Sequence, residues 1–243
     1  MLTQPPPAAL PQTSATAAER PDDRSGRRHR QAIGYLGLAL PILLVLLVRL
    51  RPNAPSDHWS ANSISAYYWT GAVSLFVGLL AALSLFLLTY RGYANESHKY
   101  DRGAAIIAGS AAALIAIFPT APPNGVAALP WWADWIGTTH TVAAITLFSM
   151  FAVFSLWLFR KTAPGEPPAA DKKRRNAIYL LCGIGILANM AWAVVARRSG
   201  GSIFWPESFA LGFFAWSWLV KGRALRSINS TLRAARDKLS NPT

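Results

Sequence analysis

Charge is scarce in this sequence, and negative charge scarcer still. Asp, Glu, Lys and Arg make up 14% of the 243 residues, with 11 acids against 24 bases. A soluble domain of this size carries about a quarter charged residues, so the deficit argues against a soluble globule. The formal net charge of +13 does not point to nucleic acid. The cations fall between long apolar runs rather than along one basic face, and no nucleic-acid partner is expected. Cysteine is nearly absent. Cys182 stands alone, which excludes a disulfide within one chain and fits a buried, inert thiol. Histidine is also rare. Outside the N-terminal tail there are His58, His98 and His140 only, and none forms an HxxxH or HExxH pair. A metal needs three or four ligands. An outer site would require His58 and His140 together with Asp57, Asp134 or Glu207, a set that no spacing supports, so no metal or other cofactor is predicted. The Gly-x-Ser-x-Gly elbow, the Walker loop and the dinucleotide fingerprint are missing too.

What the sequence has in abundance is apolar length. Hydrophobic residues make up 52% of the chain, and the mean hydropathy is +0.25. Crossing about 30 Å of hydrocarbon takes about 20 apolar residues in a helix. Six stretches approach that length: Ala32 to Val48, Ala66 to Tyr90, Ala104 to about Pro122, Thr138 to Phe159, Ala177 to Ala196 and Ile203 to Val220. They are continuous runs, not the ten-residue alternating segments of a barrel. Backbone in lipid must satisfy its own hydrogen bonds. The expectation is therefore an all-α, polytopic membrane bundle of about six transmembrane helices. Pro41 predicts a kink in the first, and Pro119, Pro122 and Pro123 interrupt the end of the third.

Three regions follow. Residues 1–31, rich in Pro, Ala and Arg, are expected to be a disordered basic tail, and the run after them is too long for a signal-peptide core. Residues 32–222 form the membrane domain, and residues 223–243 a basic cytoplasmic segment. Counting Lys and Arg on alternate sides of six spans puts 20 on the side of the termini and 4 on the other, which predicts that both termini are cytoplasmic. Trp59, Trp69, Trp131, Trp132, Trp135, Trp192 and Trp205 fall near the outer boundary, with Trp157, Trp216 and Trp218 near the inner one. Leu225, Ile228, Leu232, Ala235 and Leu239 recur at helical spacing between basic residues. The segment 223–239 thus reads either as a helix on anionic inner-leaflet lipid or as a helical tail without that role. Beyond the lipid bilayer no protein partner or oligomeric state can be read.

Polar groups within apolar spans are functional candidates by default. Ser63, Ser65, Tyr67 and Tyr68 open the second span. His140 sits early in the fourth, Asn189 in the outer half of the fifth, and Glu207 after Pro206 near the outer end of the sixth. Asp57, His58 and Asp134 lie in outer loops. Ser65, His140 and Glu207 are the candidates for chemistry. Tyr67, Tyr68, Asn189 and Glu207 are candidates for a ligand, and His58 and His140 for a metal. Each has a structural alternative. Asn62, Ser63 or Ser65 would cap span two and Thr138 or Thr139 span four. Pro206 suits a first helical position, with Glu207 complementing the dipole. Asn189 would join two helices. At the inner side, Asp101 and Arg102 read as a pair fixing the loop between spans two and three.

The segments SISAYYWTGAVSLFVGLL, LTYRGY, IAIFPTAPP and PESFALGFFAWSWLVKG resemble a family of uncharacterised bacterial six-span membrane proteins. That similarity implies an architecture and a bacterial inner or plasma membrane location, and no activity. A more distant likeness is to the alkaline ceramidase and progestin-receptor-like superfamily of membrane hydrolases, whose members use a Ser, an Asp and three His around zinc. On that comparison Ser65 and His140 take matching roles, but the late paired histidines are missing and Glu207 stands alone. Three functions remain open. The first is a non-enzymatic protein that binds a lipid-like or small ligand in an outward pocket. The second is a metal-assisted intramembrane lipid hydrolase, and the third a scaffold acting through its basic tail.

Overall fold

The computed structural model of the chain describes residues 21–50, 61–92, 98–161 and 170–224. Among these there are six α-helices and no strand: α1 (Pro21–Arg49), α2 (Val73–Thr89), α3 (His98–Ile117), α4 (Asp134–Leu156), α5 (Ala170–Arg198) and α6 (Phe204–Lys221). Short 3-10 turns precede α2 (Ser65–Trp69) and follow α4 (Leu158–Arg160). Four helices, α1, α3, α4 and α5, are long and apolar enough to cross a membrane. The other two fall short for different reasons. α2 is apolar throughout but only 17 residues long, because the start of the expected second span is spent on the 3-10 turn. α6 has 18 residues but includes Pro206, Glu207 and Lys221.

Each helix packs against the next in chain order, and α6 returns to α1. The bundle is thus a closed ring, with α4 and α6 also touching across it. Side-chain bonds fix the direction of the helices. Near the start of α1, His29 Nε2 donates to the carbonyl of Phe86 at 2.7 Å, and Gln31 Nε2 donates to that of Gly222 at 2.9 Å. The beginning of α1 and the ends of α2 and α6 therefore share one end of the bundle. These donors, with Arg102 Nη1 on the carbonyls of Leu88 and Tyr90, take up oxygens that the last turn of a helix leaves without an intrahelical partner. In the α2–α3 loop Gly92, at φ 74°, lies against Asp101 so closely that a Cβ there would stand 2.7 Å from the Asp101 Cβ.

Aromatic side chains fill the same end. Trp218 is fully buried, with its ring centroid 5.0 Å from Tyr90, 5.2 Å from Phe154 and 5.1 Å from Phe159. Toward the middle, Phe151 of α4 stacks on Phe214 of α6. Cys182 is buried and free. On the outside, every helix turns a large apolar side chain outward: Leu46, Leu85, Ile107, Ile145, Leu181 and Phe209 are all exposed. So continuous an apolar exterior marks a surface covered by something other than water.

The structure differs from the sequence expectations in several places. Residues 21–31 belong to α1; a proline suits the first helical position, where its missing N–H has no intrahelical role. Trp218 is not an interfacial anchor, because its position on α6 faces Tyr90 and Phe154 rather than the outside. Pro206 is the third residue of α6, not the first, which the first turn tolerates equally. His58 and Asp57 lie outside the described residues, as do most of the expected disordered tail and of the amphipathic segment 223–239.

Candidate functional site

The opposite end of the ring holds the start of α2, the end of α3, the starts of α4 and α6 and the last turns of α5. His140 lies in the second turn of α4 and is buried. Its Nδ1 is 2.7 Å from the carbonyl oxygen of Phe118, and its Nε2 is 2.8 Å from Ser65 Oγ. A carbonyl only accepts, so Nδ1 carries the proton. In the neutral ring Nε2 is then the acceptor, and the Ser65 hydroxyl donates to it. A serine is held on a histidine base whose far nitrogen is fixed by a third group, the arrangement that activates a nucleophilic hydroxyl.

Local sequence explains why Phe118 has an oxygen to give. α3 ends at Ile117, and the residue four beyond Phe118, which would donate to it in a continued helix, is Pro122 with no N–H. The FPTAPP break that weakens span three thus creates the acceptor that orients His140. Ser65 is placed by its neighbours. Ser63 Oγ accepts the N–H of Ala66 at 2.9 Å, just ahead of the 3-10 turn, whose N-cap position is Ile64. Glu207 Oε2 accepts the N–H of Ile64 at 2.7 Å. The carbonyl of Asn62 receives the N–H groups of Ile203 and Phe204 at 2.8 and 3.1 Å and Ser202 Oγ at 3.1 Å. Asn62 and Ile64, just before Ser65, are therefore tied to the start of α6.

Beside this cluster is a cavity of about 340 Å³ between α4, α5, α6 and the 61–70 turn. Ser63, Ser65, Thr120, His140, Asn189 and Glu207 contribute to its polar side. Its other walls are apolar, with Ala144, Ile145 and Phe148 on α4 and Met190 and Val194 on α5. Ile145 and Val194 are exposed on the outside of the ring, so the cavity opens sideways between α4 and α5. Arg197, also exposed, stands on its wall one turn beyond Val194.

Of the sequence candidates, the structure brings Ser65, His140, Asn189 and Glu207 to one cavity. It does not bring Tyr67 and Tyr68 to its wall. Tyr67 is buried with its hydroxyl 3.4 Å from the N–H of Ala61, and Tyr68 packs on Trp69 and Phe76. Asn189 does not join two helices; its Nδ2 donates to Gly185 in its own helix at 2.8 Å. Thr138 and Thr139 back-bond to Asp134 and Trp135 rather than cap α4. Sequence reasoning missed Thr120, Arg197 and the carbonyl of Phe118; only the last had a signal, in Pro122. Among the described residues no three His, Cys, Asp or Glu side chains gather closely enough to hold a metal. Both nitrogens of His140 are engaged, so a metal at Nε2 would have to displace Ser65. No family model, curated protein or solved structure matches the chain.

Proposed function

We propose that this chain is a six-span membrane protein of a bacterial inner or plasma membrane, with both termini cytoplasmic, that binds a lipid-like ligand in the cavity at the outer end of its bundle. The ring closes with the beginning of α1 and the end of α6 at one end, as an even number of crossings requires. The charge bias assigns that end to the cytoplasm. On this reading α2 and α6 also cross, because a ring in which α1 meets both leaves no place for them outside the lipid.

The observation that carries the ligand is the shape of the cavity. Its apolar walls open between α4 and α5 toward the surface that lipid covers, while its polar side holds Ser65, His140, Asn189 and Glu207. Ligand sites are mostly apolar with a few convergent polar groups, and here the apolar part faces the bilayer. An acyl chain would lie along Ile145, Phe148 and Val194, with a carboxylic or phosphate group near Arg197.

Native mass spectrometry of the protein released from nanodiscs tests this, with Ala193→Trp as the comparison. Ala193 lines the cavity and is only partly buried, so the indole fills space without entering the core. The wild type is expected to retain about one lipid per chain, and the variant to lose it while unfolding at the same temperature. Equal lipid content in the two proteins would overturn the reading.

A further inference from the structure

We infer that Ser65 and His140 form a nucleophile–base pair that cleaves a carboxylic ester of the lipid-like ligand through an acyl-serine intermediate. This deepens the binding reading above, on which it rests for its substrate class. It needs no metal at His140, and so departs from the metal-assisted hydrolysis that the distant resemblance implies.

Two distances define the pair, 2.8 Å from Ser65 Oγ to His140 Nε2 and 2.7 Å from His140 Nδ1 to the Phe118 carbonyl. Nucleophile, base and orienting group are then in hydrogen-bond sequence. The orienter is a backbone oxygen rather than a carboxylate, which still fixes the tautomer and the ring plane. His140 is buried and Ser65 only half-buried, unlike a Ser–His pair sealed within a core. This one borders an open cavity. Asn189 brings a side-chain amide to the same cavity. One of its N–H groups is spent on Gly185, and the other has no partner among the described residues, which leaves a donor for the oxygen that becomes negative during acyl transfer.

The chemistry balances without an electron acceptor. Ser65 Oγ bonds to the carbonyl carbon, and its proton passes to His140 Nε2. Collapse of the tetrahedral adduct breaks the bond to the alkoxy oxygen, which takes that proton and leaves as the alcohol. Water then attacks the acyl-serine, giving a proton to Nε2 and its hydroxyl to the carbon. Ser65 Oγ departs and recovers the proton, and the carboxylic acid is released.

The test uses the full chain in nanodiscs and an alkyl fluorophosphonate, which reacts with activated serines. The wild type is expected to be labelled on the peptide containing Ser65. Labelling should vanish in Ser65→Ala, which lacks the labelled oxygen, fall about 10²–10⁴-fold in His140→Ala, and persist in Ser74→Ala, an exposed position of α2 away from the cavity. Hydrolysis of p-nitrophenyl dodecanoate should follow the same order. If His140→Ala fails to fold, Ser65→Ala, which removes a single oxygen, carries the result. Retained lipid separates this inference from the binding reading. The Ser65→Ala protein should hold an intact ester where the wild type holds the acid or nothing. Intact ester in both proteins, with no labelling, would overturn the hydrolase and leave the binding site. Labelling at Ser65 with no lipid in either protein would support the nucleophile and remove the lipid.

Discussion

The Glu207 carboxylate accepts the backbone N–H of Ile64 at 2.7 Å, joining residues 143 positions apart. Ile64 immediately precedes Ser65, so α6 holds the loop that aims the serine at His140. Substituting Glu207 by Ala leaves the Ile64 N–H without a partner, at a cost of about 1–3 kcal/mol. Glu207→Gln keeps a carbonyl oxygen of the same reach and should recover most of that loss. Thermal unfolding in detergent checks the stability, and the rate of fluorophosphonate labelling checks the aim. A positioning role predicts slower labelling in Glu207→Ala and near-normal labelling in Glu207→Gln; equal behaviour of the two variants would remove it.

The tautomer of His140 can be read directly. With Phe118 accepting from Nδ1, the neutral ring carries its proton there and leaves Nε2 as the acceptor. Nitrogen-15 spectra of protein labelled in histidine should show one ring with this tautomer that disappears in His140→Gln. In Ser65→Ala the Nε2 signal should move while the Nδ1 signal stays, because only the first partner has been removed. A proton on Nε2 would mean that Ser65 is the acceptor, and the serine could not be activated by this ring.

How far the sequence led is clearest at individual positions. Apolar run lengths marked all six helices, since a stretch such as that of α5 has no other use than burial in lipid or protein. The 3-10 turn over Ser65–Trp69 was not legible. SAYYW has no feature that distinguishes three residues per turn from 3.6, and the difference changes where side chains point. This is why Tyr67 and Tyr68 were expected at the pocket and instead face the core. Ser65, His140, Asn189 and Glu207 stood out because polar groups in apolar runs are costly, but their meeting depends on the closure of the ring. Ser65 and His140 are 75 positions apart, and nothing local encodes that distance. Trp218 misled for the opposite reason. Its place near the end of an apolar run suggested the interface, whereas Tyr90, Phe154 and Phe159 enclose it.

Close approach of α2 and α3 rests on a missing side chain. A Cβ on Gly109 would stand 2.7 Å from Leu88 Cγ and 3.0 Å from the Leu88 backbone nitrogen, and Ser84 Oγ donates to the Gly109 carbonyl at 2.8 Å. Backbone cannot yield as a flexible side chain can, so Gly109→Ala should cost about 1–3 kcal/mol through overpacking. Gly78 supplies the control, since nothing lies within 4 Å of its Cβ position. Gly78→Ala should be neutral or slightly stabilising, as alanine is the better helix former. Paired thermal melts in one detergent decide the matter; equal losses would mean that the helices separate freely at Gly109.

Orientation in the membrane is open to chemical labelling, because the only native thiol is buried and can be replaced as Cys182→Ala. Single cysteines are then introduced at four exposed positions, Asn124, Ser199, Arg91 and Lys173. The first two belong to the end of the ring that carries Ser65 and His140, the last two to the end where α1 begins and α6 finishes. A membrane-impermeant maleimide added to intact cells should react at Asn124→Cys and Ser199→Cys. Arg91→Cys and Lys173→Cys should react only after permeabilisation. The reverse pattern would place the cavity on the cytoplasmic side and contradict the charge bias. Reaction at Asn124→Cys and Arg91→Cys from the same side would show that α3, the helix between them, does not cross, and the six-span reading would fall with it.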